Sequence, residues 1–272
     1  VLNSDLAEAY FQRAYTYLIL LKNYREVPLI TEPYADDSQP FNIAKSSDTA
    51  IVRQIKSDVE AALATGAAKG TYETDWQTKG RATKWALYAL MTDVCLWNED
   101  YQEAVDYADK ILQATDAFRP VFIANTSDWF TIFYPGNSNE SILELNWDYN
   151  TNQKTNTFTS LFTQSQTSPL MFTSDAVTKM KAETQTLKER GYDDNARMGR
   201  MLLATYVPET GQTTSWNSAN YFYMWKYRGT DVQDITGGAR THSDANFIIY
   251  RVAEVMLMKA QAEVMLGNYR EA

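Results

Sequence analysis

Residues Gly80 to Ala114, GRATKWALYALMTDVCLWNEDYQEAVDYADKILQA, decide the fold of this chain. Apolar and small residues recur at helical spacing in both halves of the stretch. They are Tyr88, Met91, Thr92 and Cys95 in the first half, and Tyr101, Ala104, Val105, Ala108, Ile111 and Leu112 in the second. Between the halves stands Asp100, where a side-chain oxygen can cap the second helix. The pattern predicts an antiparallel helix hairpin.

The turn of this hairpin recurs twice in the chain. Tyr101-Gln-Glu-Ala looks like part of a tetratricopeptide unit, and Tyr24-Arg-Glu-Val and Tyr269-Arg-Glu-Ala share its pattern. Each of these two follows an apolar helical stripe: Leu6, Tyr10, Ala14, Tyr17, Leu18 and Leu21 before the first, and Ala253, Leu257, Ala260 and Val264 before the last. The tyrosines are 77 and 168 positions apart, whereas tetratricopeptide repeats recur at about 34 residues. The array is therefore interrupted, and we expect the insertions to hold the function.

Four segments together resemble the SusD/RagB-like glycan-binding lipoproteins of the Bacteroidetes outer membrane. They are AEAYFQRAYTYLILLKNYREVPL from Ala7, GRATKWALYALMTDVCLWNEDYQEAVDYADKIL from Gly80, ESILEL from Glu140 and YRVAEVMLMKAQAEVMLGNYREA from Tyr250. The resemblance implies a helical scaffold that binds glycans without cleaving them. It also implies polysaccharide utilization through a SusC-like TonB-dependent transporter, and a lipid anchor in the outer leaflet on a cysteine preceding Val1. Because proteins of this family are much longer, we expect this chain to be a fragment.

Composition limits the partners and the class of protein. The chain has 272 residues, a mass of 31.0 kDa and 44% hydrophobic residues, which suffices for one or two domains with a substantial core. Its net charge of −9 argues against nucleic acid or an anionic membrane surface as a partner. The single cysteine, Cys95, excludes an internal disulfide and is expected to be a buried small hydrophobe. No apolar run reaches the length of a transmembrane helix.

The predicted architecture is mainly α, with tetratricopeptide-like helical hairpins and an irregular, aromatic-rich insertion that contains short β-strands. We expect a helical scaffold at 1–117, interrupted by a loop at 28–47, the insertion at 118–246, and a further truncated hairpin at 247–272. Asp5 and Glu8 predict a capping box for the first helix, and Ser47 or Asp48 a cap for the second, whose stripe is Val52, Ile55, Val59, Ala62 and Leu63. A loop is expected at 66–80, a strand from Ser141 to Trp147 and a helix from Ser174 to Glu189.

A sugar ring offers one apolar C–H face and a rim of hydroxyl groups. Aromatic rings stack on the face, and Asn, Asp and backbone groups bond the rim, although most aromatic residues of any domain pack in its core. We predict ligand binding where aromatic residues and their polar neighbours occur together in polar surroundings. The predicted residues are Trp216, Asn217 and Tyr221, then Trp147, Asp148 and Tyr149, and Tyr34 in the first loop.

The sequence gives little support for an enzymatic function. The only histidine, His242, lies in a polar turn, so this chain holds neither a His-based triad nor a multi-His metal site. Asp36 with Asp37, Asp193 with Asp194, and Glu144 with Asp148 are the carboxylate pairs that could act on a glycosidic bond. We expect no catalytic residue, metal or cofactor. Two alternatives stay open, a tetratricopeptide-type scaffold that binds proteins and an all-helical glycosidase.

Overall fold

The computed structural model describes residues 2–36, 40–124, 130–133, 135–147, 161, 170, 173–191 and 245–272. These residues are mainly helical, as predicted. The helices are α1 (Leu2–Tyr24), α2 (Asp48–Ala64), α3 (Asp75–Gly80), α4 (Lys84–Trp97), α5 (Tyr101–Leu112), α6 (Ser174–Glu189) and α7 (Val252–Leu266). Strands β1 (Ser141–Leu145) and β2 (Phe247–Arg251) pair in a small sheet, and Phe130–Ile132 form a 3₁₀ turn. None of the described helices has the length and apolar character needed to cross a bilayer.

The chain divides into two compact units. The first comprises Val1–Pro120 and Tyr250–Ala272, and the second comprises Val121–Ile249. The predicted division of roles, with ligand binding at 118–246 and a truncated repeat at 247–272, stays a prediction.

Helix α4 is the central helix of the first unit. It is buried nearly all round because apolar residues lie on every side of it, including Trp85, Leu87, Leu90 and Val94 beside the predicted stripe. Helices α2, α5 and α7 all pack against it. Helix α5 covers it with the predicted face, on which Ala104, Val105, Ala108 and Ile111 are buried. The predicted α4–α5 hairpin is confirmed.

Helices α1 and α2 form the other helix pair of this unit. The buried residues of α2 include four of the five predicted, Val52, Ile55, Val59 and Ala62, while Leu63 is half-buried. Across the pair, the Arg13 guanidinium donates to both oxygens of Asp58, with Nε–Oδ2 at 2.8 Å and Nη2–Oδ1 at 2.6 Å. Asp58 is only 2% exposed, so this bidentate ion pair fixes how the two helices meet.

The face that α7 buries differs from the predicted one. Val252, Val255, Met258 and Ala262 are buried, whereas Leu257 and Val264 of the predicted stripe are 71% and 46% exposed. Apolar residues lie on all sides of this helix, so periodicity cannot choose the packed face. Lys259 helps to settle the choice, because its Nζ donates to Asp109 Oδ1 of α5 at 2.5 Å.

Hydroxyl side chains cap three of the helices. Ser47, Thr74 and Thr83 accept hydrogen bonds from the backbone N–H groups of Ala50, Gln77 and Ala86 at the starts of α2, α3 and α4. The prediction for Ser47 is confirmed. The loop predicted at 66–80 is wrong at its end, because Thr74 starts the short helix α3.

Two predicted caps are wrong. Asp100 makes no side-chain cap bond to α5, since its carboxylate instead accepts hydrogen bonds from Lys56 Nζ and Asn98 Nδ2 at 2.8 Å each. Asp5 does not start α1, because the described helix already includes Leu2. A charged partner brought in by tertiary structure outcompetes a local backbone donor.

Candidate ligand-binding site

The predicted ligand-binding segment around Trp147 starts where β1 ends. The strand is confirmed over Ser141–Leu145, and its first four residues are buried. The chain then leaves the sheet through Asn146 and the half-buried Trp147. The backbone N–H of Trp147 donates to Asn246 Oδ1 at 3.0 Å, so the position of this tryptophan backbone is fixed from the residue just before β2.

Glu144 lies on β1 and belongs to one of the three carboxylate pairs considered for acid–base chemistry. It is 1% exposed. Its carboxylate accepts hydrogen bonds from Asn246 Nδ2 at 2.7 Å and from the backbone N–H of Asn137 at 3.0 and 3.1 Å. A buried carboxylate held by several donors serves to organise the backbone around it, and the structure gives Glu144 that role.

Tyr34 lies in the first loop, as an exposed member of an aromatic pair. Its ring stacks on Phe41 with centroids 5.7 Å apart and planes 8° from parallel. Tyr34 is 41% exposed and Phe41 is 72% exposed. The Tyr34 hydroxyl donates to the Pro40 carbonyl at 3.2 Å, so the pair offers two flat apolar surfaces with a polar atom at their edge.

Helix α1 anchors the start of this loop. The Tyr17 hydroxyl accepts from the Ile30 N–H at 2.7 Å and donates to the Ile30 carbonyl at 3.0 Å. Arg13 Nη1 donates to the Thr31 carbonyl at 3.0 Å. At the other end of the loop, the Ser46 N–H donates to the Val27 carbonyl at 2.9 Å. The aromatic pair is therefore carried by a loop whose two ends are fixed.

The other predicted ligand-binding residues lie outside the described part of the chain. They are Asp148, Tyr149, Trp216, Asn217 and Tyr221. His242, Asp37, Asp193 and Asp194 lie outside it as well. Among the described residues, Tyr34 belongs to the first unit and Trp147 to the second.

One group of potential metal ligands occurs in the described part of the chain. The ligand atoms of Cys95, Asp100 and Glu103 lie within 4.8 Å of one another. The Lys56 ammonium already neutralises the two carboxylates, with Nζ 2.8 Å from Asp100 Oδ2 and 2.6 Å from Glu103 Oε2. Burial raises the pKa of the Cys95 thiol to about 12. The cysteine is buried, as predicted, and this group acts as an ion-pair network between α2 and α5.

Two family models match the sequence. A model described as "Starch-binding associating with outer membrane" matches residues 3–96. The model of the SusD family matches residues 125–272, which is more than half of the chain. The chain belongs to the SusD family.

Solved structures share the SusD-family fold at low sequence identity. A SusD superfamily protein from Bacteroides thetaiotaomicron has a TM-score of 0.71 and 20% identity, and the match covers 99% of this chain and 56% of that one. A "Laminarin binding SusD-like protein" has a TM-score of 0.64 and 20% identity, with 94% and 59% covered. A structure described as "with xylogluco-oligosaccharide" has a TM-score of 0.66 and 20% identity, with 96% and 54% covered.

The SusD-family chain described here thus spans less than two thirds of the length of these solved structures. No curated protein matches its sequence. At these identities the structural similarity establishes the fold and leaves ligand choice to the residues of this chain.

Two residues near the predicted ligand-binding residues carry no motif of their own. Phe41 is visible in the sequence only as an aromatic residue in a polar loop, and its stacking on Tyr34 requires the loop to fold back. Asn246 is 99 positions from Trp147, and an asparagine just before an apolar run gives no signal of such a distant partner. The tertiary fold alone brings both residues into place.

Proposed function

We propose that this protein binds oligosaccharides or polysaccharides at the cell surface without cleaving them. Membership of the SusD family, from the match over residues 125–272, is the observation that carries the proposal. The family description for residues 3–96, "Starch-binding associating with outer membrane", supports the same ligand class. Laminarin and xylogluco-oligosaccharide, named for two proteins of this fold, are the first ligands to test.

Sugar rings would bind by stacking on aromatic side chains. Phe41 is 72% exposed, and the Tyr34 ring stacks on one of its faces. In the second unit we assign stacking to Trp147, Tyr149, Trp216 and Tyr221, and hydrogen bonding of the hydroxyl rim to Asp148 and Asn217. Stacking needs only a C–H face, which suits a protein that binds polymers of varying sequence.

The surroundings of Glu144 favour binding over hydrolysis. A glycosidase places two carboxyl groups across a cleft, within about 5–10 Å of each other and open to the sugar. Glu144 is 1% exposed, and its carboxylate accepts hydrogen bonds from Asn246 and Asn137, so it is not available to a sugar. Asp36 is exposed, in a loop.

We further propose that the protein delivers its glycan to a SusC-like TonB-dependent transporter for nutrient uptake. Family membership supports a location at the outer membrane. A lipid anchor in the outer leaflet would hold the protein at the transporter. Expression of the full-length protein with its transporter, followed by detergent extraction and affinity purification, tests this. A stable complex supports delivery, and separate elution under mild detergent contradicts it.

A glycan panel tests the proposed binding. Isothermal titration with laminarin, xyloglucan oligosaccharides and other plant, host and microbial glycans measures affinity, and a reducing-end assay on the same mixtures measures cleavage. We expect saturable binding of at least one glycan class and no new reducing ends. Release of reducing ends would establish a glycosidase, and binding of proteins but not of glycans would establish a protein-binding scaffold.

Matched aromatic variants test the site. Trp147→Ala is compared with Trp97→Ala, a tryptophan of α4 that is 37% exposed. Phe41→Ala is compared with Phe118→Ala, because both rings are 72% exposed. We expect Trp147→Ala and Phe41→Ala to weaken glycan binding about tenfold, the loss of one stacking contact of about 1.4 kcal/mol. Equal affinities for each variant and its control would refute the assignment.

A further inference from the structure

A buried group of hydrogen bonds joins β1 to the residue that precedes β2. Asn246 is 1% exposed, and its side chain uses both of its ends. Its Nδ2 donates to Glu144 Oε2 at 2.7 Å and to Asn146 Oδ1 at 2.9 Å, and its Oδ1 accepts from the Trp147 N–H at 3.0 Å. We name Asn246, Glu144, Asn146 and the Trp147 N–H the Asn246 clasp.

The turn at Gly136 and Asn137 packs closely against the clasp. Gly136 and Asn137 both have left-handed backbone conformations, with φ of 78° and 56°. This places the Asn137 N–H on the Glu144 carboxylate. A Cβ on Gly136 would lie 2.2 Å from Asn246 Nδ2, so glycine is required for the backbone to approach this closely.

Two clasp residues, Trp147 and Asn246, flank the chain segment that contains most of the predicted ligand-binding residues. Residues 148–245 lie between Trp147 and Asn246, and they include Tyr149, Trp216 and Tyr221. Hydrogen bonds of Asn246 with Glu144, Asn146 and Trp147 join the two ends of this segment. The clasp supplies three such bonds from one buried side chain.

We propose that Asn246 is the positioning residue of the glycan site. It contacts no sugar itself, and acts by holding the backbone of Trp147. A binding surface that is held in its bound arrangement has less ordering to do when the ligand arrives, so its affinity depends on these supporting bonds. The inference rests on the proposed glycan binding and on the assignment of Trp147.

Polarity exchange between two clasp residues provides the test. Asn246→Asp removes the donor and sets a carboxylate against Glu144, so that two acceptors face each other. Adding Glu144→Gln to this variant restores a donor–acceptor pair with the direction reversed. The new carboxylate at 246 still accepts from the Trp147 N–H, the new amide at 144 still accepts from the Asn137 N–H, and the Asn146 amide can rotate to donate.

Glycan affinity is measured by titration at a temperature well below the unfolding midpoint of every variant. We expect Asn246→Asp and Asn246→Ala to weaken binding ten- to a hundredfold, corresponding to hydrogen bonds involving a charged group. The double variant Asn246→Asp/Glu144→Gln should return to within about threefold of wild type. Asn146→Ala removes one bond of the clasp and should weaken glycan binding about threefold. This variant tests the proposal if the Asn246 variants do not fold.

A second measurement reports on the clasp without a ligand. Hydrogen exchange of the Trp147 amide should be faster in Asn246→Ala and return towards the wild-type rate in the double variant. Wild-type affinity in a folded Asn246→Ala, with binding lost in Trp147→Ala, would overturn the positioning role and leave the proposed function intact. Wild-type affinity in Trp147→Ala would overturn the assignment of Trp147 and, with it, the positioning role, while glycan binding itself would stand. Absence of glycan binding by the wild type would overturn the proposed function as well. Failure of the double variant to recover would also contradict the inference.

Discussion

Glu99 occupies a backbone conformation that suits glycine, and replacing it should stabilise the protein. Its φ is 65°, and it ends α4 in a Schellman motif. In this motif the Glu99 N–H donates to the Leu96 carbonyl at 3.2 Å and the Asp100 N–H to the Cys95 carbonyl at 2.8 Å. Gly267, with φ of 82°, ends α7 through the same pair of bonds, at 3.0 and 2.9 Å.

The expected change in the free energy of unfolding for Glu99→Gly follows from two opposing contributions. An L-residue in the left-handed region costs about 1–2 kcal/mol, which Glu99→Gly removes. Glycine makes the unfolded chain more disordered, which costs about 0.4–1 kcal/mol. Glu99 is exposed, so few contacts are lost. We therefore expect Glu99→Gly to raise the free energy of unfolding by about 0.5–1 kcal/mol, and Gly267→Glu to lower it by a similar amount.

Urea unfolding followed by circular dichroism measures both changes, with the wild type and Glu99→Ala as references. Glu99→Ala keeps the backbone strain and should leave stability within about 0.5 kcal/mol of wild type. A thermal shift of about 2–4 °C per kcal/mol should accompany the changes in a unit of this size. A destabilised Glu99→Gly, or a neutral Gly267→Glu, would refute the conformational reasoning.

Three further predictions concern buried groups. Asp58→Ala should lower the free energy of unfolding by about 3 kcal/mol, since it leaves the Arg13 guanidinium without its 2%-exposed partner, and Asp58→Asn should cost less in the same urea titration. Cys95 should react with a thiol reagent at pH 8 only through unfolding, because burial raises its pKa to about 12; labelling that does not slow as stability rises would contradict this. Gly136→Ala should cost about 3 kcal/mol, from overpacking against Asn246 and from strain at a φ of 78°, and a Tm equal to that of wild type would show that the clasp can shift at little cost.

The helix pairs could be predicted from the sequence because their signals are local. The stripes of α2 and α5 each have one apolar face, and that face is the buried one. Helix α7 has apolar residues all round, so the sequence left its packed face open, and the face containing Leu257 turned out to be exposed. An ion pair with a distant residue, Lys259 with Asp109, contributes to that choice.

Similar turn sequences also adopt different geometries. Tyr101 and Tyr269 both stand two residues after a left-handed residue, Glu99 or Gly267. Tyr24 is instead the last residue of α1, and the left-handed residue is the one after it, Arg25. The first turn leads into a long loop rather than into a helix, and the shared Tyr-x-Glu pattern does not encode that difference.

The candidate site was predictable only in its residue types. Trp147 and Tyr34 could be named because aromatic residues in polar surroundings are unusual in a core. Asn246 could not, since its role arises from a hydrogen bond to a backbone group 99 positions away. Side-chain bonds across such distances follow from the fold and leave no periodic trace in the sequence.

The hydroxyl of Tyr17 bonds the loop that carries Tyr34 and Phe41 to helix α1. Both backbone groups of Ile30 are bonded to that one oxygen, and Arg13 connects the adjacent carbonyl to the Asp58 carboxylate. The loop start must therefore move with α1 and cannot swing as a separate arm. A ligand that binds Tyr34 and Phe41 would therefore also stabilise the packing of α1 against α2. Ligand binding there should slow the exchange of buried backbone amides in this helix pair.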